Sequence, residues 1–382
     1  MATRVRPIDR RAFLTGLAGT TAGVAVGSPY LAARPVQSAL FDLAQQFFAS
    51  AQKKPDGRYA ISVLDDAGQE LAQVGLPGRG HGIAVSPDRQ TLVAFARRPG
   101  TFALIIRPFD GSEPKLISAI KGRHFYGHGC FSGDGRLMYA VENNYEARRG
   151  TIGIYDLSGQ QATRIGEFET FGIGPHEILL STDQKTLMVA NGGILTHPAK
   201  PREKLNLETM APSIVFLDAA TGDLITQHQI ALHLHQLSLR HMTQDATGRV
   251  WIGGQFEGPE TETPPLVATC GKDTPLRLHD IPAKITSGLQ NYIGSVTANK
   301  DGSVIATSAP RGGKVLFWKA DTMNFIGAQS IPDGCGIAPI DQQGFLISDG
   351  NGGLSYLDDT TGPPLVLART PGTSWDNHMT AI

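Results

Sequence analysis

Short apolar runs alternate along this chain with turns rich in Gly, Asp, Asn and Pro, and one arrangement of them recurs. A histidine opens an apolar run, a Ser-x-Asp turn closes it, and a second apolar run follows. The arrangement starts at His81, His128 and His176, so the spacings are 47 (128 − 81) and 48 (176 − 128) residues. The short runs between turn residues are typical of antiparallel strands. A period of this length predicts the four-stranded blades of a β-propeller.

The later part of the chain continues the pattern with interruptions. A polar insertion at residues 196–210 separates the third unit from a fourth, which we predict to begin at His235. A fifth unit is predicted to begin near Tyr292 and a sixth at Cys335. The last residues, 378–382, supply one more apolar run that again opens with a histidine.

The single run at the C-terminus needs three partners, and the first part of the chain supplies them. Residues 47–52, 58–64 and 70–74 are apolar or alternating runs separated by turns. One C-terminal strand and three N-terminal strands would complete a blade and leave no open sheet edge in the ring. We therefore predict an all-β protein, a seven-bladed β-propeller occupying residues 37–382 as one domain.

The composition, the charge and the missing motifs limit the classes of function that this protein can have. Forty-five glycines suit an all-β protein with many turns, and the formal net charge of −1 argues against nucleic acid or an anionic membrane surface as the main partner. Three cysteines do not form a disulfide framework, although one bridge of unknown pairing stays open. Haem-attachment, serine-hydrolase-elbow and P-loop motifs do not occur in the sequence.

The first residues carry an export pattern. Arg10 and Arg11 precede a modest apolar stretch and a small-residue exit near Ala32 and Ala33. This order predicts a twin-arginine signal over residues 1–34 and a periplasmic protein. The stretch is too short to span a bilayer, so no stable membrane insertion is expected. The alternative is an amphipathic N-terminal helix.

A histidine at the start of the first strand of several blades suggests a metal-binding site. In a propeller the first strand of each blade lines the central channel, so residues in equivalent positions converge on one axis. The predicted ring is His81, His128, His176, His235 and His378, with Cys335 in the sixth unit. Neutral imidazole suits copper and iron, so we predict an iron or copper ion here. His241 is assigned to a loop.

Polar residues follow the second strand of several blades and should surround the same mouth. We predict that four of them orient the imidazoles or bind a polar ligand: Glu142, Asn191, Gln255 and Arg311. Two other readings of the histidines stay open. They could brace the blades of an interaction scaffold, or one or two could serve as acid or base in an enzyme, either redox or hydrolytic.

Taken together, these residues resemble the DUF1513 family of exported bacterial propellers. The resemblance rests on the twin arginines and on Gly80-His81-Gly82, Gly127-His128-Gly129, Pro175-His176-Glu177, His235-Gln236 and Asn377-His378. It implies a link with iron acquisition and with periplasmic iron-uptake or redox partners. The histidine-lined mouth is also similar to the propeller of nitrous oxide reductase, whose histidines hold copper. The Ser-x-Asp turns resemble those of lactonase-type propellers.

Overall fold

The computed structural model describes residues 46–200, 203–357 and 362–382. Within them the chain forms seven antiparallel sheets of four strands each. The predicted twin-arginine segment, residues 1–34, lies outside the described residues. No helix in the described part is long and apolar enough to cross a membrane.

Six sheets are built from consecutive strands. Blades 1 to 3 contain β4 (Gly80–Val85), β5 (Leu92–Ala96), β6 (Phe102–Ile106), β7 (Lys115–Ser118); β8 (Arg123–Phe131), β9 (Leu137–Asn144), β10 (Arg149–Asp156), β11 (Thr163–Glu169); β12 (Pro175–Leu180), β13 (Thr186–Asn191), β14 (Ser213–Asp218), β15 (Leu224–Gln229). Blades 4 to 6 contain β16 (Leu237–Gln244), β17 (Val250–Phe256), β18 (Val267–Gly271), β19 (Thr274–His279); β20 (Ser295–Ala298), β21 (Val304–Ala309), β22 (Lys314–Lys319), β23 (Phe325–Ser330); β24 (Gly334–Pro339), β25 (Phe345–Asp349), β26 (Gly353–Leu357), β27 (Leu365–Arg369). A four-residue helix, α1 (Ala283–Thr286), lies between blades 4 and 5.

The seventh blade closes the ring as the sequence predicts. Its order is β28 (Ser374–Ala381), β1 (Phe47–Lys53), β2 (Tyr59–Asp65) and β3 (Glu70–Leu76). Ser50 of β1 pairs with Met379 of β28, so the two ends of the propeller share one sheet. The first strands of neighbouring blades contact one another all the way round, from β4 to β8 and finally from β28 back to β4. The prediction of a seven-bladed β-propeller is confirmed.

The core lies between the faces of neighbouring blades. Second strands such as β5 and β13 are buried along their whole length, because a blade covers each of their faces. Their sequences are therefore continuous apolar runs and do not alternate between apolar and polar residues. The outermost strands, such as β3 and β15, are partly exposed and alternate or turn polar. Apolar burial between blades is the main stabilising contribution of this architecture.

The Ser-x-Asp turn closes the far end of the first strand in blades 1 to 3. In blade 1 the Ser86 hydroxyl donates to Asp88 Oδ1 (2.5 Å) and accepts the Thr91 N–H (2.9 Å). Ser132 and Ser181 repeat this pattern in blades 2 and 3. These turns fix the register between the first and second strands, and hence the distance from the turn to the start of the first strand.

Candidate metal centre

A β-bulge interrupts the first strand of most blades near its beginning. The register of β4 against β5 shifts between Gly80 and Ile83, a shift that leaves His81 and Gly82 unpaired. Comparable shifts occur beside His128, His176, His241 and His378. A bulge turns one side chain away from the ladder and bends the strand. Here the bulges accompany five imidazoles directed to the axis.

The five rings form one compact cluster, which we call the histidine cluster: His81, His128, His176, His241 and His378. In nine of the ten pairs, ring centroids lie between 4.5 Å (His81 and His378) and 6.3 Å (His81 and His241) apart. Two sets of three contribute nitrogen atoms that all lie within 4.8 Å of one another. The sets are His81, His128 and His378, and His128, His176 and His241, so His128 belongs to both.

The placement of His235 differs from the sequence prediction. It ends a short 3₁₀ turn before β16, and its Nδ1 bonds the Leu232 carbonyl (3.1 Å). His241, which we had assigned to a loop, takes the ring position in blade 4. The turn gives the signal: His241 precedes Asp245 by four residues, as His128 precedes Ser132, whereas His235 lies ten residues before Asp245. The additional residues before β16 made this spacing hard to recognise from the sequence.

Cys335 occupies the equivalent bulge of blade 6 but belongs to neither nitrogen set. Its thiol contacts the carbonyl oxygens of Trp375 (3.6 Å) and Asp376 (3.3 Å), and burial raises its pKa to about 12. In blade 5, Ser295 begins the first strand and no histidine is present there. All three cysteines are free thiols.

Two carboxylates that the sequence analysis missed contact the cluster. His81 Nδ1 donates to Asp376 Oδ1 (2.8 Å), which fixes that tautomer and leaves Nε2 with its lone pair. Glu177 lies between two other rings, 3.6 Å from His128 Nδ1 and 3.4 Å from His241 Nδ1. The Met242 N–H holds Glu177 by donating to Oε2 (2.9 Å).

Burial keeps the cluster neutral. It lowers the pKa of His128 to about 3 and lowers the pKa of His176, His241 and His378 well below the usual value. The pKa of His81 is also lowered by burial, although Asp376 opposes the shift. Burial would raise the pKa of Asp376, but His81, Arg97 and Arg79 together outweigh it and the pKa falls. Glu177 has its pKa raised by burial.

Several ring nitrogens in the cluster have no hydrogen-bond partner, which would be unusual if the histidines had only a structural role. The side chains are between 2% and 9% exposed, yet four of them contain a buried nitrogen that bonds nothing: His128 Nε2, His176 Nδ1, His241 Nδ1 and His378 Nε2. Buried polar atoms normally have a hydrogen-bond partner. Neutral imidazoles whose unpartnered nitrogens lie a few ångströms apart could hold a metal ion.

Glycines beside the histidines allow this close approach. A Cβ on Gly82 would lie 2.6 Å from His128 Nδ1, and one on Gly127 would lie 2.6 Å from His81 Cδ2. Gly127 also has a φ of +106°, which L side chains rarely adopt. The Gly-His-Gly pattern is therefore a packing requirement of the cluster.

The cluster separates two openings. On one side the first strands run away from it around an axial cavity of ≈ 650 Å³, whose floor includes His128, Glu177 and His378. On the other side are the beginnings of the first strands and the ends of the second strands. That side holds Arg97 and Arg98 after β5, Arg240 beside His241, and Arg311 after β21, and we call it the arginine mouth.

The four polar residues predicted to surround the ring are placed differently from one another. Arg311 lies at the mouth, with Cζ 4.6 Å from the Tyr292 ring centroid. Gln255 is buried at the end of β17, beside Tyr292. Asn191 donates to Thr170 O and Ser213 Oγ, so its amide braces blade 3. Glu142 is bound by Tyr155 and Arg164 between the strands of blade 2, and this corrects its assignment to the mouth.

The remaining histidines serve local structure. Buried His124 uses both nitrogens, Nδ1 with Phe125 O and Nε2 with Asn143 Nδ2 (2.9 Å each). His279 bonds Thr269 Oγ1 (2.8 Å), and His228 bonds the Gly271 carbonyl (2.8 Å). A buried histidine in this protein can thus be fully hydrogen-bonded, as His124 is, whereas four cluster rings and half-buried His235 each have a buried nitrogen without a partner among the described residues.

Fold and site together define a seven-bladed propeller with a buried histidine cluster at its axis. The model of the family described as "Protein of unknown function (DUF1513)" matches residues 74–382, and the chain belongs to that family. This confirms the resemblance given by the sequence. No curated protein matched the sequence.

Solved structures with the same fold have little sequence in common with the chain. Hydrazine synthase of Kuenenia stuttgartiensis has a TM-score of 0.62 at 15% identity, covering 86% of this chain and 99% of that one. The Cps50 (Swd1) propeller domain of Myceliophteria thermophila has a TM-score of 0.54 at 10% identity, covering 79% and 93%. A chain of a mitotic checkpoint complex gives 0.54 at 12%, covering 76% and 79%. At these identities the likeness concerns the fold alone.

Proposed function

We propose that this protein is a periplasmic metal-binding propeller that holds iron or copper in the histidine cluster and serves metal acquisition or handling. The observation that carries the proposal is the set of buried, unpartnered imidazole nitrogens within 4.8 Å of one another. Asp376 supports it, because a carboxylate bonded to the remote nitrogen of a ligating histidine fixes its orientation and raises its basicity. Glu177 places a second carboxylate 3.6 Å from His128 Nδ1 and 3.4 Å from His241 Nδ1.

The location is part of the same proposal. The twin-arginine pattern at Arg10 and Arg11 supports export, and that route carries proteins that are already folded. A metal could then be installed before export. The proposed role includes partner proteins in periplasmic iron uptake or redox chemistry.

The alternative hypothesis, that the histidines only brace the blades, is less well supported by the geometry. A histidine that braces a fold does so by hydrogen bonds, as His124 does with Phe125 and Asn143. In the cluster, His81 has such a bond, to Asp376, whereas four other rings have a buried nitrogen without one. Unpaired buried nitrogens cost stability, so a structural role gives no reason to collect them.

Metal analysis of the full-length protein tests the proposal. We expect the exported protein to retain iron or copper, and the metal-free protein to bind it again in a titration. The double variant His128→Ala/His176→Ala should lose this binding, because it removes the shared ligand and one more. His235→Ala is the matched control, since His235 lies outside the cluster. Unchanged affinity in the double variant, or no metal bound by the native protein, would refute the proposal.

A further inference from the structure

The arginine mouth has more positive charge than its carboxylates can pair. Asp376 accepts bonds from Arg79 (2.7 Å) and is 3.5 Å from Arg97. Glu257 is bound by Arg240 (2.9 Å) and by Lys204 from the insertion between β13 and β14. Each of these two carboxylates is therefore already shared between two cations.

Arg98 has no counter-ion: it follows Arg97 directly and makes no hydrogen bond or ion pair with any residue in the described ranges. Arg311 likewise makes no ion pair with the described residues and packs on the Tyr292 ring. Both Arg98 and Arg240 lie at the mouth, where Arg98 is half-buried and Arg240 is only 7% exposed. Guanidinium charges gathered at one partly buried mouth are unfavourable unless an anion accompanies them.

Further donor groups line the same mouth. Arg311 stacks on Tyr292, whose hydroxyl accepts a hydrogen bond from Asn377 Nδ2, and Asn377 directly precedes His378 of the cluster. The buried side chain of Gln255 lies on the neighbouring strand end. Cationic and amide groups from blades 1, 4, 5 and 7 thus surround the approach to the imidazoles. The carboxylates of blade 6, Asp333 and Asp349, lie where no cluster histidine is present.

The opposite opening has the opposite character. No lysine or arginine lines the axial cavity, and its one carboxylate, Glu177, lies next to His128. A hydrated metal cation would be repelled at the arginine mouth and tolerated in the axial cavity. The two sides of the cluster therefore favour ligands of different charge.

We propose that the arginine mouth is a binding site for a small multivalent anion, a carboxylate or inorganic oxyanion, held by Arg98 and the other guanidinium groups of the mouth beside the histidine cluster. Guanidinium groups match these anions because they offer parallel N–H donors. The anion either arrives as the chelator of the metal or binds on its own. Its link to a metal rests on the proposed function, but anion binding itself does not need the metal.

Calorimetric titration of the metal-free, full-length protein with citrate and with inorganic phosphate tests this site. Ionic strength is matched with sodium chloride, because surface attraction alone is screened. We expect at least one of the two anions to bind. In Arg98→Gln its affinity should fall at least about tenfold, the loss of one charge-assisted contact. The affinity should fall less in Arg98→Lys. It should not change in Arg136→Gln, because Arg136 is an exposed arginine far from the mouth.

Three results separate the possibilities. Absence of binding by both anions, or an equal loss in Arg98→Gln and Arg136→Gln, overturns the anion site. Tighter binding of ferric citrate than of citrate, lost in Arg98→Gln, supports the site and assigns the anion as a chelator. Equal binding of the two supports the site with a free anion. Metal binding without anion binding refutes only this inference, and anion binding without metal binding refutes only the metal proposal.

Discussion

Replacing His176 by leucine would show whether the cluster exists for stability or for a ligand. His176 and His124 are both buried, and leucine fills a similar volume at either position. They differ in their bonds, because His176 Nδ1 has no partner whereas His124 bonds Phe125 O and Asn143 Nδ2. His124→Leu is therefore a matched control for a histidine that does support the fold.

The expected energies have opposite signs. A buried polar atom left without a partner costs about 1–3 kcal/mol. His176→Leu removes such an atom, so the free energy of unfolding of the metal-free protein should stay unchanged or rise by up to about 2 kcal/mol. His124→Leu removes two hydrogen bonds and should lower it by about 1–3 kcal/mol.

Urea unfolding, first with a chelator and then with excess metal, measures both effects. A ligand at a hundred times its dissociation constant stabilises the folded state by about 2.7 kcal/mol. The native protein and His124→Leu should gain this increment, because their clusters are intact. His176→Leu should gain clearly less, since one of its two nitrogen sets has lost a member.

The reasoning fails if the metal-free His176→Leu variant is destabilised as much as His124→Leu. It fails equally if added metal stabilises all three proteins by the same amount. Either result would mean that the cluster histidines brace the blades and that any metal binds elsewhere.

Three further outcomes are expected. Asp376→Asn should weaken metal affinity about 10–100-fold in a competition titration, because it replaces the charged carboxylate that orients His81 with a weaker, neutral amide acceptor. Asp156→Asn on the surface should leave affinity unchanged. Gly82→Ala should also lower metal affinity, since its Cβ would lie 2.6 Å from His128 Nδ1, and Gly166→Ala, with no neighbour nearer than 3.8 Å, should be neutral; equal effects would exclude this packing role. Burial lowers the pKa of His124 to about 4, below its unfolded value, so its contribution to stability is complete above about pH 6.5 and is lost as pH falls towards 4. Between pH 7.5 and pH 4.5 this residue should lower the free energy of unfolding by about 2.5 kcal/mol, and equal stability at the two pH values would contradict it.

Local signals explain why the blades could be predicted from the sequence. Second strands such as β5 and β13 are apolar throughout, and the turns after Ser86, Ser132 and Ser181 depend on side chains two to five residues apart. Ring closure followed from the single leftover strand at the C-terminus. These features require only neighbours in sequence, so one sequence is enough to recognise them.

The composition of the cluster could be predicted only in part. Four of its histidines follow the repeat, but the extra chain before β16 shifted the assignment from His241 to His235. Asp376 meets His81 across 295 positions of sequence, and Glu177 meets His241 across the interface between blades 3 and 4. Such contacts depend on how the blades close around the axis, and no local pattern encodes them.

The distribution of histidines around the axis bears on where a ligand can enter. Five neighbouring blades, from blade 7 through blades 1 to 4, each give one imidazole, whereas blades 5 and 6 give Ser295 and Cys335. A closed ring of seven imidazoles would surround an ion on all sides. An arc of five leaves one sector without nitrogen donors, and Tyr292 with the stacked Arg311 lies at the mouth of that sector. A ligand reaching the metal from the arginine mouth would therefore approach past blade 5, where the protein offers guanidinium and hydroxyl groups instead of imidazole.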